Sequence, residues 1–163
     1  MAGPSQRKVL ARDVAVFMKD TAGRGNWGHP GLSRMLAGIS VEAATWKPSP
    51  DAHSIWEEVN HIAHWSRHVL DRLEGRGERT QQAWPAGRGG ATGWRRAVAG
   101  VTRLHAAMTR RIASIDDATL TAKYASTRYT MSQLVLGCVS HVAYHVGQIA
   151  VLKRLYRHAS RSA

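Results

Sequence analysis

The run Ser54-Ile-Trp-Glu57-Glu58-Val-Asn-His61-Ile-Ala-His64-Trp65-Ser-Arg-His68-Val-Leu-Asp-Arg-Leu73-Glu-Gly75 contains a helix start, a helix stop and an apolar face between them. Ser54 followed by Glu57 is a capping box, in which hydroxyl and carboxylate satisfy orphan backbone N–H groups reciprocally. Ile55, Val59, Ile62, Val69 and Leu73 recur at helical spacing. Gly75 supplies the stop. Such a helix must bury its apolar face on partners, and the flanking sequence supplies them.

Downstream, residues Gly75 to Gly93 are rich in Gly, Gln and Arg and read as a long loop. A third helix from about Trp94 to Ile115 carries the stripe Trp94, Val98, Val101, His105, Met108, Ile112 and Ile115, and Asp116-Asp117 ends the pattern. The last helix opens with a second capping box, Thr130 and Gln133, and runs to about Tyr156. Upstream, segments from about Val9 to Asp20 and from about Gly31 to Gly38 read as helical pieces, separated by Gly23, Gly25, Gly28 and Pro30. Lys47-Pro48-Ser49-Pro50 is an extended connection. With no repeat and no hairpin signal, the expectation is an all-α four-helix bundle. It forms one domain over residues 1–163, with 1–26 as an N-terminal extension. Crossing a helix of roughly 30 Å takes about nine extended residues. The loop after Gly75 is long enough for that, so the helices on either side of it can run parallel.

Composition narrows the function classes. The chain of 163 residues, 44% hydrophobic with 15 Gly and 5 Pro, is globular in type. A single cysteine, Cys138, excludes an internal disulfide and fits a reducing compartment. Arg12, Asp13, Lys19 and Asp20 interrupt any signal-peptide core, and no stretch approaches the roughly 20 apolar residues of a membrane span. The reading is cytoplasmic, with no membrane. The net charge of +12 is scattered through the chain, without a contiguous basic block, zinc-finger spacing or RNA-recognition motif. It is read as a solvated arginine-rich surface, and no specific nucleic acid is expected.

The histidines are the chemical signal. His141 and His145 lie four apart, about 40° around the axis and one turn along it, so two imidazoles can converge on one ion. They interrupt a stripe of Leu134, Cys138, His141, His145, Gln148 and Leu152 that has apolar ends and a polar centre. A metal would remove the cost of burying those groups. Satisfied core or surface histidines are the alternative. For a third ligand the Ser54 helix offers His61, His64 and His68, and the third helix offers His105. His61 lies about 20 Å from the end near Glu74, and His141 and His145 lie about 16 and 22 Å past Thr130. Antiparallel helices put His61 level with the pair, whereas parallel ones put His68 there. Against His61, it stands about 100° from Ile62, off the centre of the apolar stripe. Spacing alone leaves the choice open.

Ser54-Ile-Trp-Glu-Glu-Val-Asn-His61 resembles the first motif of the DinB/YfiT-like family, and His141-Val-Ala-Tyr-His145-Val-Gly-Gln148-Ile resembles its second, HxxxHxGQI. Trp27, Pro30 and Trp84-Pro85 fit one branch of it, and the resemblance covers the chain from about residue 27 onward. It implies an up-down-down-up bundle with helices two and four antiparallel and a long crossover between helices two and three. It also implies metal ligands His61, His141 and His145, and a homodimer. Members of the family include thiol S-transferases that use low-molecular-weight thiols, and many others have no assigned reaction.

Three neutral imidazoles leave coordination positions open, as in catalytic sites, and suit Zn, Ni, Fe, Co or Cu, with Zn, Ni and Fe leading. An open divalent ion lowers the pKa of bound water or thiol. The expected function is therefore a metal-dependent enzyme of the thiol S-transferase or hydrolase kind acting on a small electrophile. Its catalytic residues are unassigned. A non-catalytic metal-binding stress protein is the alternative, and a basic nucleic-acid binder comes third. Gln148 and Glu57 are outer-shell candidates, Glu57 chiefly as a cap. Tyr144 is a possible pocket donor. Cys138 is read as core filler ahead of a fourth ligand, and Trp56 and Trp65 as packing residues that could wall a pocket.

Overall fold

The computed structural model describes residues 9–76, 84–124 and 127–162. Four long helices dominate: α1 (Val9–Ala22), α4 (Ile55–Leu73), α5 (Gly90–Ser114) and α7 (Met131–Ala159). Three short ones, α2 (Leu32–Leu36), α3 (Val41–Thr45) and α6 (Asp117–Thr121), fill the connections. No β-strand forms among the described residues. The protein is all-α.

Both capping boxes are present. Ser54 Oγ accepts from Glu57 N–H while Glu57 accepts from Ser54 N–H, and Thr130 and Gln133 repeat the exchange. Each cap contributes about 1 kcal/mol to its helix. Gly75, in the left-handed region at φ 70°, stands just beyond α4. The Arg111 guanidinium donates twice to Leu73 O, which ties the last turn of α4 to α5.

Two short helices lie where sequence periodicity finds only connections. Ser40 caps α3 by accepting from Ala43 N–H, and Asp116 caps α6 by accepting from Thr119 N–H. A helix of five residues is too short to show a stripe, so its cap is its only sequence sign. α5 begins at Gly90 rather than Trp94 and ends at Ser114, and α7 runs three residues past Tyr156. Of the loop expected from Gly75 to Gly93, residues 77–83 lie outside the described residues. The part that follows is packed tightly: a Cβ on Gly87 would come within 2.1 Å of the Trp56 ring.

Residue pairings fix how the helices lie. Glu58 meets His145, His61 meets His141 and Ser66 meets Cys138, so α4 and α7 run in opposite directions. Trp56 meets Trp94, Ser66 meets His105 and Leu73 meets Arg111, so α4 and α5 run the same way. α1 packs on α5 and α7, with Ala11, Val14, Ala15 and Met18 buried. Residues expected as an extension thus contribute to the core.

The core divides in two. One apolar cluster joins α1 and α6 to Val69, Leu70, Leu73, Met108, Ile112, Val135 and Val139. The other joins α2 and α3 to Ile55, Trp56, Val59, Ile62, Val101, Val142, Val146 and Ile149. Buried polar residues Glu58, His61, Ser66, His105 and His145 fall near the level where one cluster gives way to the other.

α7 is long and apolar enough, by length and composition, to cross a membrane, contrary to the sequence expectation. Its histidines, glycines and serines break the run without lowering the average below that of a span. Its inner face is taken up by the core.

Candidate metal centre

The α7 stripe sits one residue off the expected centre. Val135, Val142, Val146 and Ile149 are buried in the core, while Leu134, His141 and Gln148 are half-buried at its edge. His61 likewise occupies the edge of the α4 stripe. Its offset from Ile62 therefore turns it toward the groove between α4 and α7, which is where His141 lies. An offset from the apolar stripe would count against a ligand on the bundle axis, but these histidines meet in the groove.

There three imidazoles converge through their Nε2 atoms. His141 Nε2 is 3.1 Å from His61 Nε2 and 3.0 Å from His145 Nε2, and the three ligand atoms all fall within 4.8 Å of one another. His61 and His145 are buried and His141 is half-buried. His145 Nδ1–H donates to Glu58 Oε2 at 2.5 Å, with both side chains almost fully enclosed. That bond places the ring proton on Nδ1 and leaves the Nε2 lone pair facing the other two histidines. Burial, reinforced by the neighbouring His145 and His61, pushes His141 down to about 4, so its ring is neutral across the ordinary pH range. His141 Nδ1 is buried with no hydrogen-bond partner.

This arrangement fits a divalent ion. Imidazole nitrogens bind zinc at about 2.0–2.1 Å, so two ligands at octahedral or tetrahedral angles stand about 2.8–3.4 Å apart. The observed separations of 3.0 and 3.1 Å match. Neutral rings alone satisfy the cluster poorly, since His141 Nε2 cannot donate to both neighbours with one proton.

Aromatic rings enclose the site. Trp84 stacks on His61 with ring centroids 3.6 Å apart and on His53 at 3.7 Å, forming a three-ring sandwich. Asn60 Nδ2 donates to Pro85 O at 2.7 Å and pins the loop that carries Trp84. Trp65 meets both His61 and His141 edge-on. A cleft of about 480 Å³ opens beside His141 and runs along the groove past Trp65, Val69, Leu134 and Cys138.

Other sequence candidates lie elsewhere. Glu57 is engaged by the cap and by Lys47 at 3.0 Å, and the carboxylate on the site is its neighbour Glu58. No hydrogen bond connects Gln148 to the histidines among the described residues. Tyr144 is exposed and meets His145 only with its ring edge. Trp56 packs in the core against Trp94. His64 and His68 flank Trp65, and His105 is buried with Ser66 at 2.8 Å. Cys138 lies 3.7 Å from Ser66 Oγ outside the triad, and burial pushes its thiol up to about 11. Trp27 is fully exposed.

Sequence reasoning missed two site residues. Glu58 had a usable signal, because it stands three positions before His61 on the same helix face. Trp84 stands in the sequence only as part of the Trp84-Pro85 pair that fits one branch of the family, with no role at the site attached to it.

An all-α protein with a buried three-histidine cluster able to hold a metal ion is the class that fold and site define. The sequence profile of the DinB superfamily matches residues 29–149. The chain belongs to the DinB superfamily. Comparison with curated proteins found no match, and comparison with solved structures found none.

Proposed function

We propose that the protein is a metal-dependent enzyme in which His61, His141 and His145 hold a divalent ion, with zinc, nickel and iron the leading choices. The reaction proposed is transfer of a small thiol, or of water, to a small electrophilic substrate. The convergence of three Nε2 atoms beside a carboxylate-fixed imidazole carries this reading. A bound divalent ion would supply Lewis acidity, lowering the pKa of a thiol or water in an open position. The chain's own residues do the rest. Glu58 holds the Nδ1 proton of His145 and keeps its lone pair in the groove. Trp84 covers His61 and excludes solvent on that side, while the cleft beside His141 admits substrate on the other.

The same reading takes the chain as one domain with α1, α4, α5 and α7 in up-down-down-up order, supported by the residue pairings across α4, α5 and α7. It places the protein in the cytoplasm with no membrane and no specific nucleic-acid partner. It further takes the protein as a homodimer. Leu136, Tyr144, Val151 and Leu155 form an exposed apolar stripe on α7 that suits a second copy.

Elemental analysis of untagged protein, followed by assay with thiols such as cysteine or glutathione and a chloroaromatic electrophile, tests the proposal. One metal per chain and conjugate formed only by the loaded protein are the expected results. A loaded protein that forms no conjugate with any thiol supports the second reading, a metal-binding protein without turnover. No carboxylate is among the described residues that line the cleft, and this favours that reading.

A further inference from the structure

A second hollow lies away from the histidines, where the loop between α1 and α2 folds against α7. Its volume is about 670 Å³, and it shares no residue with the cleft beside His141. Pockets for small ligands measure about 300–1,000 Å³. Three cations line this one: Arg24 on the loop, Arg34 on α2 and Lys153 on α7. No Asp or Glu lines it among the described residues. No ion pair or side-chain hydrogen bond among the described residues uses Arg24 or Arg34. Both side chains are exposed, so each can swing onto a ligand without breaking a bond. Lys153 Nζ is already placed at the hollow. It donates at 2.6 Å to the carbonyl of Met35, another lining residue, and keeps two N–H groups to give. Burial, and after it the charge of Arg157, lowers the pKa of that ammonium, so positive charge is crowded around it.

A second observation comes from the loop. Gly25, at φ 98°, bridges to Pro30, and Asn26 N–H donates to His29 O. His29 Nδ1–H donates to Pro30 O at 2.9 Å. Backbone and short polar contacts therefore build the turn, and Trp27 at its tip has no part in it. Trp27 is 100% exposed and lines the hollow. Tryptophan ordinarily buries most of its surface, and both faces of this ring are open to a planar partner.

We propose that this hollow binds a nucleotide-like ligand, its planar heterocycle stacked on Trp27 and its phosphate groups at Arg24, Arg34 and Lys153. A phosphate carries about −1.5 to −2 charge and three acceptor oxygens, which suits three cations better than one carboxylate does. Lining from a loop and two helices suits a small ligand, whereas a nucleic-acid strand needs an open basic groove to track along. The site goes beyond the enzyme reading above and does not rest on it.

The test is calorimetric binding of ADP, adenosine and pyrophosphate at one ionic strength, with and without chelator. Expected is ADP binding at least about tenfold tighter than adenosine or pyrophosphate, and equal in the two conditions. Trp27→Ala should bring ADP down to the affinity of pyrophosphate and leave thermal stability unchanged, since the ring is fully exposed. Arg24→Gln combined with Arg34→Gln should bring ADP close to adenosine. Wild-type protein that holds ADP no tighter than adenosine, or no tighter than pyrophosphate, overturns the proposal, and that comparison needs no variant to fold. Unchanged ADP binding by Trp27→Ala overturns it too. ADP binding that disappears in chelator would move the ligand to the metal centre and overturn it. A single-stranded oligonucleotide that displaces ADP and binds at least about tenfold tighter would overturn it in favour of a nucleic-acid surface.

Discussion

Imidazole is buried in two regions of this bundle, the groove between α4 and α7 and the interface of α4 with α5. In the groove three rings meet through Nε2, one of them fixed by Glu58, beside an open cleft. At the other place His105 is alone, bonded through Nε2 to Ser66, with Nδ1 buried and unpartnered. Both sit within apolar stripes, and burial pushes both His141 and His105 down to about 4. Burial and a lowered pKa therefore do not distinguish a ligand from a core histidine. What distinguishes them is convergence: several lone pairs aimed at one point, with a carboxylate holding a tautomer.

The largest expected effect breaks the comparison directly. His145→Ala or His141→Ala should take metal content from one per chain to none, and His105→Ala should leave it unchanged. Elemental analysis of the three variants decides it, and metal loss on changing His105 would show that the two regions are not distinct. The next effect sharpens it. Glu58→Gln keeps the side-chain shape but removes the charge that orders His145, so metal affinity should fall about ten- to hundredfold. Competition with a chromophoric chelator measures this, and wild-type affinity in the variant would reduce Glu58 to a packing residue.

α4, α5 and α7 were legible because a capping box or an apolar stripe marks each, and both capping boxes are where Ser54, Glu57, Thr130 and Gln133 indicated. α1 carries neither mark and read only as a helical piece of an extension. α3 and α6 were not legible, because five residues cannot show a period. The histidine set could be named from its motifs, but spacing could not choose His61 over His68, since that depends on helix direction. The rotation of α7 was also hidden. Cys138 and His145 mark one line on the helix and Val142 and Val146 another, and only the packing partners decide which faces inward. Trp84 reaches His61 across a loop, and contacts made by loop closure leave no periodic trace.

A smaller effect concerns pH. His105 has a folded pKa of about 4, below the ordinary 6.5, so the folded protein resists taking up this proton. Above pH 6.5 the ring is neutral in both states and contributes nothing to pH dependence. As pH falls from 6.5 toward 4 the unfolded chain gains a proton that the folded one refuses, and stability drops. Ser66 and Cys138 face the ring through a hydrogen-bond chain, and Lys19 lines the same small cavity as His105 near α1, so no carboxylate compensates among these neighbours. In chelator, between pH 7.5 and 5, the wild type should lose about 2 kcal/mol more than His105→Gln. Urea denaturation at the two pH values measures the difference, and identical slopes would remove His105 from the account.

The smallest effect lies at Cys138, which joins the two regions by lining the cleft and contacting Ser66 beside His105. Burial pushes its thiol up to about 11, so it is protonated at neutral pH and is poorly suited to bind an ion as thiolate. Its sulfur fills space in the core cluster that joins α1 to α7. Cys138→Ala should therefore cost about 1 kcal/mol of stability, as a small buried truncation does. It should also leave one metal per chain. Paired denaturation and elemental analysis of this variant read both numbers. Metal lost together with the sulfur would place a fourth ligand on α7 and join the two regions into one site.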